Sequence, residues 1–262
     1  MNRADALAFA ARLADAARAA IAAGSRVPEN KLADGYDPVT ECDRAAERAM
    51  RALIAAAHPD HGVAGEEYGD ARSDAQFVWS LDPIDGTRAF ICGLPSWTTL
   101  IALLDNGTPA AGLIDAPALR ERFTGHGDAA WLNGTPIRTS DCRNLAEARL
   151  ASTDPYLFTG AEADAFARLR QSVRLTRFGW DAYAYARLAT GTLDLVAESG
   201  LKPHDYNALV PVVRGAGGVV GNWSGGDELD AGQILAAATP ALFEQAVRIL
   251  NLPPRGQDRA AA

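Results

Sequence analysis

Trp79-Ser80-Leu81-Asp82-Pro83-Ile84-Asp85-Gly86-Thr87 joins an apolar strand end to a sharp turn that carries two carboxylates. Pro83 fixes its own φ, and Gly86 permits the positive φ that lets the following N–H groups point at an anion. Asp82 and Asp85 stand three residues apart on this turn, and two such acids at the carboxyl end of a strand favour a cation. The stretch therefore predicts a metal ion on one side of the turn and a phosphate group on the other.

Asp-Pro and Asp-Gly are also ordinary turn formers, so this stretch alone could be a β-turn without chemistry. Three further acid-bearing stretches accompany it. They are Asp37-Pro38-Val39-Thr40-Glu41-Cys42-Asp43, Gly65-Glu66-Glu67 and Glu198-Ser199-Gly200-Leu201-Lys202-Pro203-His204-Asp205. Turn chemistry does not account for four such stretches in one chain, and the set indicates a metal-dependent site.

The four stretches resemble the motifs of the inositol monophosphatase superfamily, whose members are magnesium-dependent, lithium-sensitive phosphatases. The first family motif has the form W-x-x-D-P-[IL]-D-G-T, which residues 79–87 match. The family's Asp-x-Val-Thr-x-x-Asp, Gly-Glu-Glu and C-terminal acid elements match the others, and Gly217-Gly218 matches the strand that follows. The resemblance runs from about residue 31 to residue 223. It implies a layered αβαβα sandwich with α+β and α/β parts, usually assembled as a homodimer.

The resemblance also implies which residues hold metal ions. It places Glu66, Asp82 and the Ile84 carbonyl on one ion, and Asp82, Asp85 and Asp205 on a second, so that Asp82 bridges both. Oxygen ligands without a Cys/His cluster favour Mg²⁺ or Mn²⁺ over Zn²⁺. We therefore expect about two or three Mg²⁺ ions in the active site, with Mn²⁺ as the other candidate.

Catalytic roles follow from the same resemblance. Thr87 matches the threonine that orients the attacking water, Asp43 supports that threonine, and Glu66 acts through the metal that activates the water. The backbone N–H groups of Gly86 and Thr87 are expected to cradle the phosphate. Thr87 could also cap the short helix predicted after it. Glu67 is expected to be a solvated neighbour of the site.

Residues in the second half are expected to select the substrate. Glu198 stands seven residues before Asp205, where family members contact the leaving group. Gly179, Trp180 and Asp181 match the segment that lines the same pocket. Two carboxylates would suit a cationic alcohol, and the pattern resembles the histidinol-phosphatase branch. The implied reaction is hydrolysis of L-histidinol phosphate to L-histidinol and phosphate, a step of histidine biosynthesis.

Other interpretations stay open at this point. Asp181 could be a helix N-cap, and Glu198 could end a strand at the surface. On the same scaffold the chain could be an inositol-1-phosphatase, or a phosphatase of broad specificity for small sugars and polyols. A metal-binding regulator without turnover is an alternative from a different class. His204 stands where histidinol-phosphatases often carry Tyr, so the substrate is less constrained than the phosphatase chemistry.

The composition limits the kinds of partner that the protein can bind and the cellular compartment in which it is expected. A net charge of −8 argues against nucleic acid and anionic membranes, so the expected partner is a small-molecule phosphate ester. The 3 cysteines are odd in number and widely spaced, which suits a reducing cytoplasm better than disulfides or zinc. Arg and Asp interrupt the alanine-rich start, and no later stretch reaches the roughly twenty apolar residues of a membrane span. A soluble, cytoplasmic protein is expected.

The secondary-structure pattern of the sequence changes near residue 140, which predicts two domains. Residues 1–140 predict helices on a mostly antiparallel sheet that carries most of the metal ligands. Residues 141–262 alternate between strand and helix patterns, which predicts an α/β domain with the substrate pocket and the last metal aspartate. A disordered tail is expected from Pro253.

Three local features carry predictions of their own. Residues 25–39 contain Pro and Gly and are expected to form a mobile polar loop, in which Lys31 resembles a family lysine but is assigned no role. His58 and His61 are expected to lie at a solvated helix terminus, since no third nitrogen or sulfur ligand stands beside them. A helix is predicted over residues 207–214.

Overall fold

An eight-stranded and a five-stranded β-sheet form the framework of the computed structural model, which describes residues 1–31 and 38–253. Asp37 and the tail beyond Pro253 lie outside the described residues. Within these ranges, no helix combines the length and the apolar character that crossing a membrane requires.

Helices and strands follow one another throughout the described chain. The helices are α1 (Arg3–Ala23), α2 (Glu41–Ala57), α3 (Thr87–Ile91), α4 (Gly160–Ser172), α5 (Tyr183–Ala189), α6 (Pro203–Tyr206), α7 (Leu209–Gly215) and α8 (Pro240–Leu250). The strands are β1 (Pro28–Asn30), β2 (Pro38–Thr40), β3 (Gly62–Gly65), β4 (Gly69–Ala71), β5 (Phe77–Asp85), β6 (Thr98–Asp105), β7 (Thr108–Ala116), β8 (Glu121–Gly125), β9 (Ala130–Leu132), β10 (Thr135–Pro136), β11 (Arg149–Ser152), β12 (Leu175–Phe178), β13 (Leu195–Glu198), β14 (Val219–Gly221) and β15 (Ile234–Ala237). Short 3₁₀ helices span Pro117–Leu119 and Leu145–Glu147.

The larger sheet has the strand order β10-β9-β8-β7-β6-β5-β3-β4. Its neighbouring strands are antiparallel except β3 and β5, which run parallel. The Asn133-Gly134 turn joins β9 to β10, because both residues adopt the positive φ that a tight hairpin requires. The mostly antiparallel sheet predicted for the first half is confirmed.

Strand β5 carries the acidic motif and bends within it. The register of its pairing with β6 shifts between Asp82 and Asp85. Pro83 has no N–H to contribute to the ladder, and such bulges re-aim side chains. The Thr99 hydroxyl on β6 donates to the Pro83 carbonyl at 2.7 Å, which holds the bend in place. Both aspartates therefore lie at the C-terminal end of one strand.

Helices α1 and α2 cover one face of this sheet. Thr40 is the N-cap of α2, and the Asp43 carboxylate accepts the Thr40 N–H at 2.8 Å, which completes a capping box. The core beneath the two helices includes Leu13, Met50 and Trp79, each 0% exposed. Helix α2 begins at Glu41, directly after its Thr40 cap.

The smaller sheet has the order β12-β11-β13-β15-β14. Strand β11 is parallel to both of its neighbours, whereas β15 is antiparallel to both of its own. The last strand in the chain therefore lies inside the sheet, between β13 and β14. The sequence analysis did not predict β15 or α8.

One core cluster contains residues from both sheets. Phe123 of β8 and Ile114 of β7 belong to the same cluster as Val196 of β13 and Ala236 of β15. Helices α5 and α7 supply much of this cluster. A domain boundary near residue 140 stays a prediction, since the two halves share this core.

The structure corrects one prediction in the first half and changes part of another. Within residues 25–39, β1 pairs with β2 in an antiparallel ribbon, so the described part of this segment is not simply a loop. His58 lies at the C-terminus of α2, as predicted, but both histidines are half-buried, because their rings stack at 4.6 Å and His58 meets the edge of Phe9. The indole N–H of Trp79 donates to His61 Nδ1 at 3.1 Å.

The helix predicted over residues 207–214 is α7, which starts two residues later than predicted and follows a separate short helix, α6. Helix α6 ends at Tyr206 and α7 begins at Leu209. Asn207, between them, donates its side-chain amide to Ser80 Oγ on β5 at 3.1 Å. This bond ties the segment that carries Asp205 to the strand that carries the motif.

Candidate active site

Three aspartates from two distant parts of the chain converge. Asp82 and Asp85 come from the bent end of β5 and Asp205 from the first turn of α6, and carboxylate oxygens of all three lie within 4.8 Å of one another. Asp205 accepts the Lys202 N–H at 2.7 Å, which fixes it at the helix start. Asp85 accepts the Ala182 N–H at 2.8 Å. The structure thus brings together the acids that the sequence places more than a hundred residues apart.

The electrostatics of this cluster fit a bound cation. Asp82 is 2% exposed, and its Oδ1 has no hydrogen-bond partner among the residues described. Burial, followed by the charges of Glu66, Asp85 and Asp205, raises the pKa of Asp82 well above its usual range. Burial and neighbouring acids likewise raise the pKa of Asp85. Several buried carboxylates this close to one another are costly, so the donor set fits a hard divalent ion.

Glu66 approaches the cluster from the turn after β3. Glu47 on α2 holds this turn, because its carboxylate accepts the backbone N–H of Glu67 at 2.8 Å and of Tyr68 at 3.2 Å. A Cβ on Gly65 would lie 2.1 Å from Glu47 Oε1, so the close approach requires glycine. The turn is therefore positioned by a buried carboxylate on a neighbouring helix.

Lys31 and Glu67 lie closer to the site than the sequence analysis expected. The Lys31 ammonium contacts Glu66 Oε1 at 2.9 Å and Glu67 Oε1 at 2.6 Å. The Glu67 side chain is only 4% exposed, so its assignment as a solvated neighbour was wrong. Burial raises the pKa of Glu67 to about 7, although the Lys31 ammonium opposes the rise.

The turn after Asp85 has the predicted backbone. Gly86 has a φ of 78° and immediately precedes α3. The Thr87 hydroxyl donates to the Ile84 carbonyl at 3.0 Å, so it does not cap the N–H groups of α3. Asp43 is 1% exposed, and its Oδ2 accepts the Thr40 hydroxyl at 2.6 Å. In the part of the chain described, Asp43 thus bonds to its own helix cap, and its support of Thr87 stays a prediction.

A cavity of about 140 Å³ adjoins the acidic cluster, and Asp85 and Asp205 belong to its lining. Asp181 and Glu198 line it as well. Gly179 and Trp180 are not among its lining residues, and Trp180 instead packs against the ring of Tyr183 at 5.9 Å. The cavity therefore contains both predicted substrate carboxylates and only part of the segment predicted to line it.

Asp181 faces the phosphate turn. It has a φ of 46°, and the N-cap position of α5 is Ala182, so the alternative of Asp181 as a helix N-cap was wrong. A Cβ on Gly86 would lie 3.1 Å from Asp181 Oδ2. Burial raises the pKa of Asp181 to about 6.

Glu198 is 1% exposed, so the alternative of a surface strand end was also wrong. Its Oε1 accepts the Thr153 N–H at 2.7 Å and the Thr153 hydroxyl at 3.1 Å. Burial raises the pKa of Glu198 to about 8.

This shift predicts a pH-dependent effect of Glu198→Gln on the metal-free protein. A Glu in the unfolded chain has a pKa of about 4.3, so the folded state binds the Glu198 proton more tightly than the unfolded state does. The resulting stabilisation is complete below about pH 4 and is lost as the pH rises through the folded pKa of about 8. We expect the variant to exceed wild type in unfolding free energy by on the order of 3 kcal/mol at about pH 9, and to match it at low pH.

Urea unfolding in the presence of chelator, at about pH 4.5 and pH 9, measures this gap. Glu228→Gln alters an exposed acid and serves as the control, with no pH-dependent gap expected. A gap of equal size at both pH values for Glu198→Gln would show that burial does not shift this carboxyl.

The sequence analysis did not predict two polar side chains that line the cavity. Thr153 and Tyr185 line it, beside Glu198. Tyr185 is 1% exposed and lies on α5, where its aromatic character suggests core packing. Only the position of α5 relative to β13 shows that its hydroxyl reaches a site.

Comparisons with known proteins agree with this geometry. A sequence model of the inositol monophosphatase family matches residues 3–252. A bifunctional phosphatase of Arabidopsis thaliana (IMPL2, chloroplastic) is 49% identical over 195 residues, which are 73% of this chain and 56% of the plant protein. The histidinol-phosphatase of Chlorobaculum parvum is 35% identical over 208 residues, or 78% of this chain and 80% of that protein.

The similarity extends to the fold of a solved structure. The inositol monophosphatase of Zymomonas mobilis superposes with a TM-score of 0.87 at 41% identity, and the alignment covers 96% of this chain and 100% of that one. The layered fold that the sequence implies is confirmed. Since the family match spans nearly all of the described residues, the chain belongs to the inositol monophosphatase family of phosphatases.

Proposed function

We propose that the protein is a Mg²⁺-dependent phosphomonoesterase that hydrolyses L-histidinol phosphate to L-histidinol and phosphate. The observation that carries the proposal is a cavity lined by Asp181 and Glu198 that opens directly onto the three-aspartate cluster. The cluster suits a divalent cation beside a phosphate, and the two further acids suit a leaving group with nitrogen. The name of the Chlorobaculum parvum relative supports the same substrate.

Five protein groups would hold the metal ions in this proposal. They are the carboxylates of Glu66, Asp82, Asp85 and Asp205 and the carbonyl of Ile84. A divalent cation bound at such a site lowers the pKa of water and neutralises charge on phosphate. Mg²⁺ is the proposed ion and Mn²⁺ its substitute, since all of these donors are oxygen atoms.

The remaining residues of the turn would position the reactants. The Thr87 hydrogen is donated to the Ile84 carbonyl, so the lone pairs of the Thr87 oxygen remain to accept a hydrogen bond from water. Backbone N–H groups of Gly86 and Thr87 lie at the start of α3, where N–H groups lack partners within the helix, and they would bind the phosphate oxygens. Asp43 would act as a positioning residue beneath this turn.

Phosphate release from L-histidinol phosphate and from inositol 1-phosphate, measured side by side with Mg²⁺ and with chelator, tests the proposal. We expect a strong preference for L-histidinol phosphate that chelator abolishes. Asp181→Asn should reduce this preference about tenfold, because one charge-assisted contact is lost. Asp164→Asn, on the exposed face of α4, is the matched control. Equal rates on both esters in wild type would refute the substrate assignment.

Inositol 1-phosphate is the second candidate substrate. The solved structure with 41% identity is described as an inositol monophosphatase, which favours this alternative. The same assay decides between the two substrates. A homodimer in the cytoplasm completes the proposal, and sedimentation of the purified protein measures the assembly.

A further inference from the structure

The proposed cation site is assembled from two separate segments of the chain. Asp82 lies on β5, and Asp205 lies on α6, a helix of 4 residues. A helix this short depends on packing for its position, because a single turn is not stable by itself. The Lys202 N–H donates to Asp205 from within the same segment, so it orients the carboxylate without fixing its distance from β5. That distance therefore depends on contacts between the two segments.

A buried hydrogen bond joins these segments. Asn207 donates its side-chain amide to Ser80 Oγ at 3.1 Å, and the two residues are only 6% and 2% exposed. The pairing of β5 with β6 is regular from Ser80 to Asp82, so these two side chains lie on the same face of β5. The Asn207 N–H donates to the Pro203 carbonyl at 2.9 Å, which keeps Asn207 on the turn that carries Asp205. The bond therefore links the carriers of two proposed metal ligands.

The carboxylates of the cluster oppose the approach of the two segments. Oxygen atoms of Asp82, Asp85 and Asp205 lie within 4.8 Å of one another. Like charges at such a distance repel, and the repulsion is stronger where water is excluded. A hydrogen bond between two neutral side chains adds no charge to the cluster, and it resists the separation that the repulsion favours before a cation binds.

We propose that Ser80 and Asn207 are positioning residues of the cation site, and that their hydrogen bond holds Asp205 at the distance from Asp82 at which one ion contacts both carboxylates. Both residues act through the segments that carry the ligands, without touching the ion or the substrate. The inference rests on the metal site of the proposed function, whichever phosphate ester is hydrolysed. Residues that orient metal ligands typically change metal affinity by about ten- to a hundredfold when they are replaced.

Mn²⁺ binding to the substrate-free protein, measured by titration calorimetry, tests the inference with Ser80→Ala, Asn207→Ala and the double variant. We expect each single variant to bind Mn²⁺ about tenfold more weakly than wild type. The double variant should also lose about tenfold rather than a hundredfold, because both changes remove the same bond. In phosphate release, the Mg²⁺ concentration that gives half the maximal rate should rise about tenfold, while kcat at saturating Mg²⁺ changes by less than about twofold.

Ser140→Ala is the matched control for a loss of stability alone. The Ser140 hydroxyl donates to Asp194, which precedes β13, whereas Glu198 ends that strand beside the site. We expect this variant to unfold at a lower temperature and to bind Mn²⁺ as wild type does. If Ser80→Ala and Asn207→Ala behave in the same way, their bond only stabilises the fold and the inference is wrong. If Asn207→Ala does not fold, Ser80→Ala decides, since it removes a single oxygen atom.

The outcomes separate this inference from the proposed function. If the variants bind Mn²⁺ about tenfold more weakly than wild type and wild type hydrolyses neither L-histidinol phosphate nor inositol 1-phosphate, the inference stands and the proposed function is wrong. Equal Mn²⁺ affinities in wild type and variants overturn the inference alone, as do losses that multiply in the double variant. A wild type that binds neither Mn²⁺ nor Mg²⁺ overturns both.

Discussion

Asp82→Asn is expected to lower kcat/KM for phosphate release by on the order of a thousandfold while making the metal-free protein more stable. The activity falls because Asp82 is the proposed ligand shared by both metal ions. Stability rises because a neutral amide replaces a buried carboxylate whose Oδ1 has no partner in the described chain. Steady-state kinetics and thermal unfolding, each with Mg²⁺ and with chelator, measure both effects.

The direction of the stability effect depends on pH. Burial and the neighbouring acids raise the pKa of Asp82, so the folded state binds its proton more tightly than the unfolded chain. The resulting stabilisation is present below about pH 4 and is lost as the pH rises. The gain from Asp82→Asn should therefore appear at neutral pH in chelator and vanish in acid. Asp70→Asn, at an exposed position on β4, should change neither quantity, and retained turnover in Asp82→Asn would refute the assignment.

Glu47→Ala is expected to reduce both stability and metal affinity. Glu47 is 0% exposed and also accepts Arg51 Nε at 2.7 Å. Removing the carboxylate leaves Arg51 Nε and the backbone N–H groups of Glu67 and Tyr68 without their acceptor, which costs roughly 3 kcal/mol. The turn that carries Glu66 loses its anchor, so we expect apparent Mg²⁺ affinity to fall about tenfold.

Urea unfolding and a Mg²⁺ titration of activity measure these two effects. Glu41→Ala on the same helix is the control, because Glu41 pairs with Arg48 at the surface and its loss should change neither measurement. Glu47→Gln separates charge from shape, since the amide oxygen can still accept hydrogen bonds from the turn. An unchanged Mg²⁺ affinity in Glu47→Ala would show that Glu66 does not depend on this anchor.

Local sequence chemistry predicted the elements that position the acidic cluster. Pro83 and Gly86 shape the bend at the C-terminal end of β5 and the turn that follows it. These features depend on neighbours within a few residues, so spacing and residue type are sufficient to predict them. Only the family resemblance predicted that Asp205 would lie close to this bend.

Features that depend on long-range packing were not predictable in this way. Glu67 is covered by Lys31, which stands 36 residues earlier in the chain. Asp181 and Gly86 are even further apart in the sequence. No local pattern distinguishes an aspartate that caps a helix from one whose carboxylate faces a turn on another sheet. The same holds for Tyr185, since only the packing of α5 against β13 brings this residue to the cavity.

The position of β15 has a consequence for how the chain is synthesised. Residues 234–237 pair with β13, the strand that ends in Glu198, and with β14. Until the ribosome has released them, the apolar residues Leu195, Val196 and Ala197 lie on a strand with an open edge. The larger sheet can form earlier, because its strands end at Pro136. Chains that stall before residue 234 are therefore expected to be recognised by chaperones and proteases, although they already contain both aspartates of the first motif.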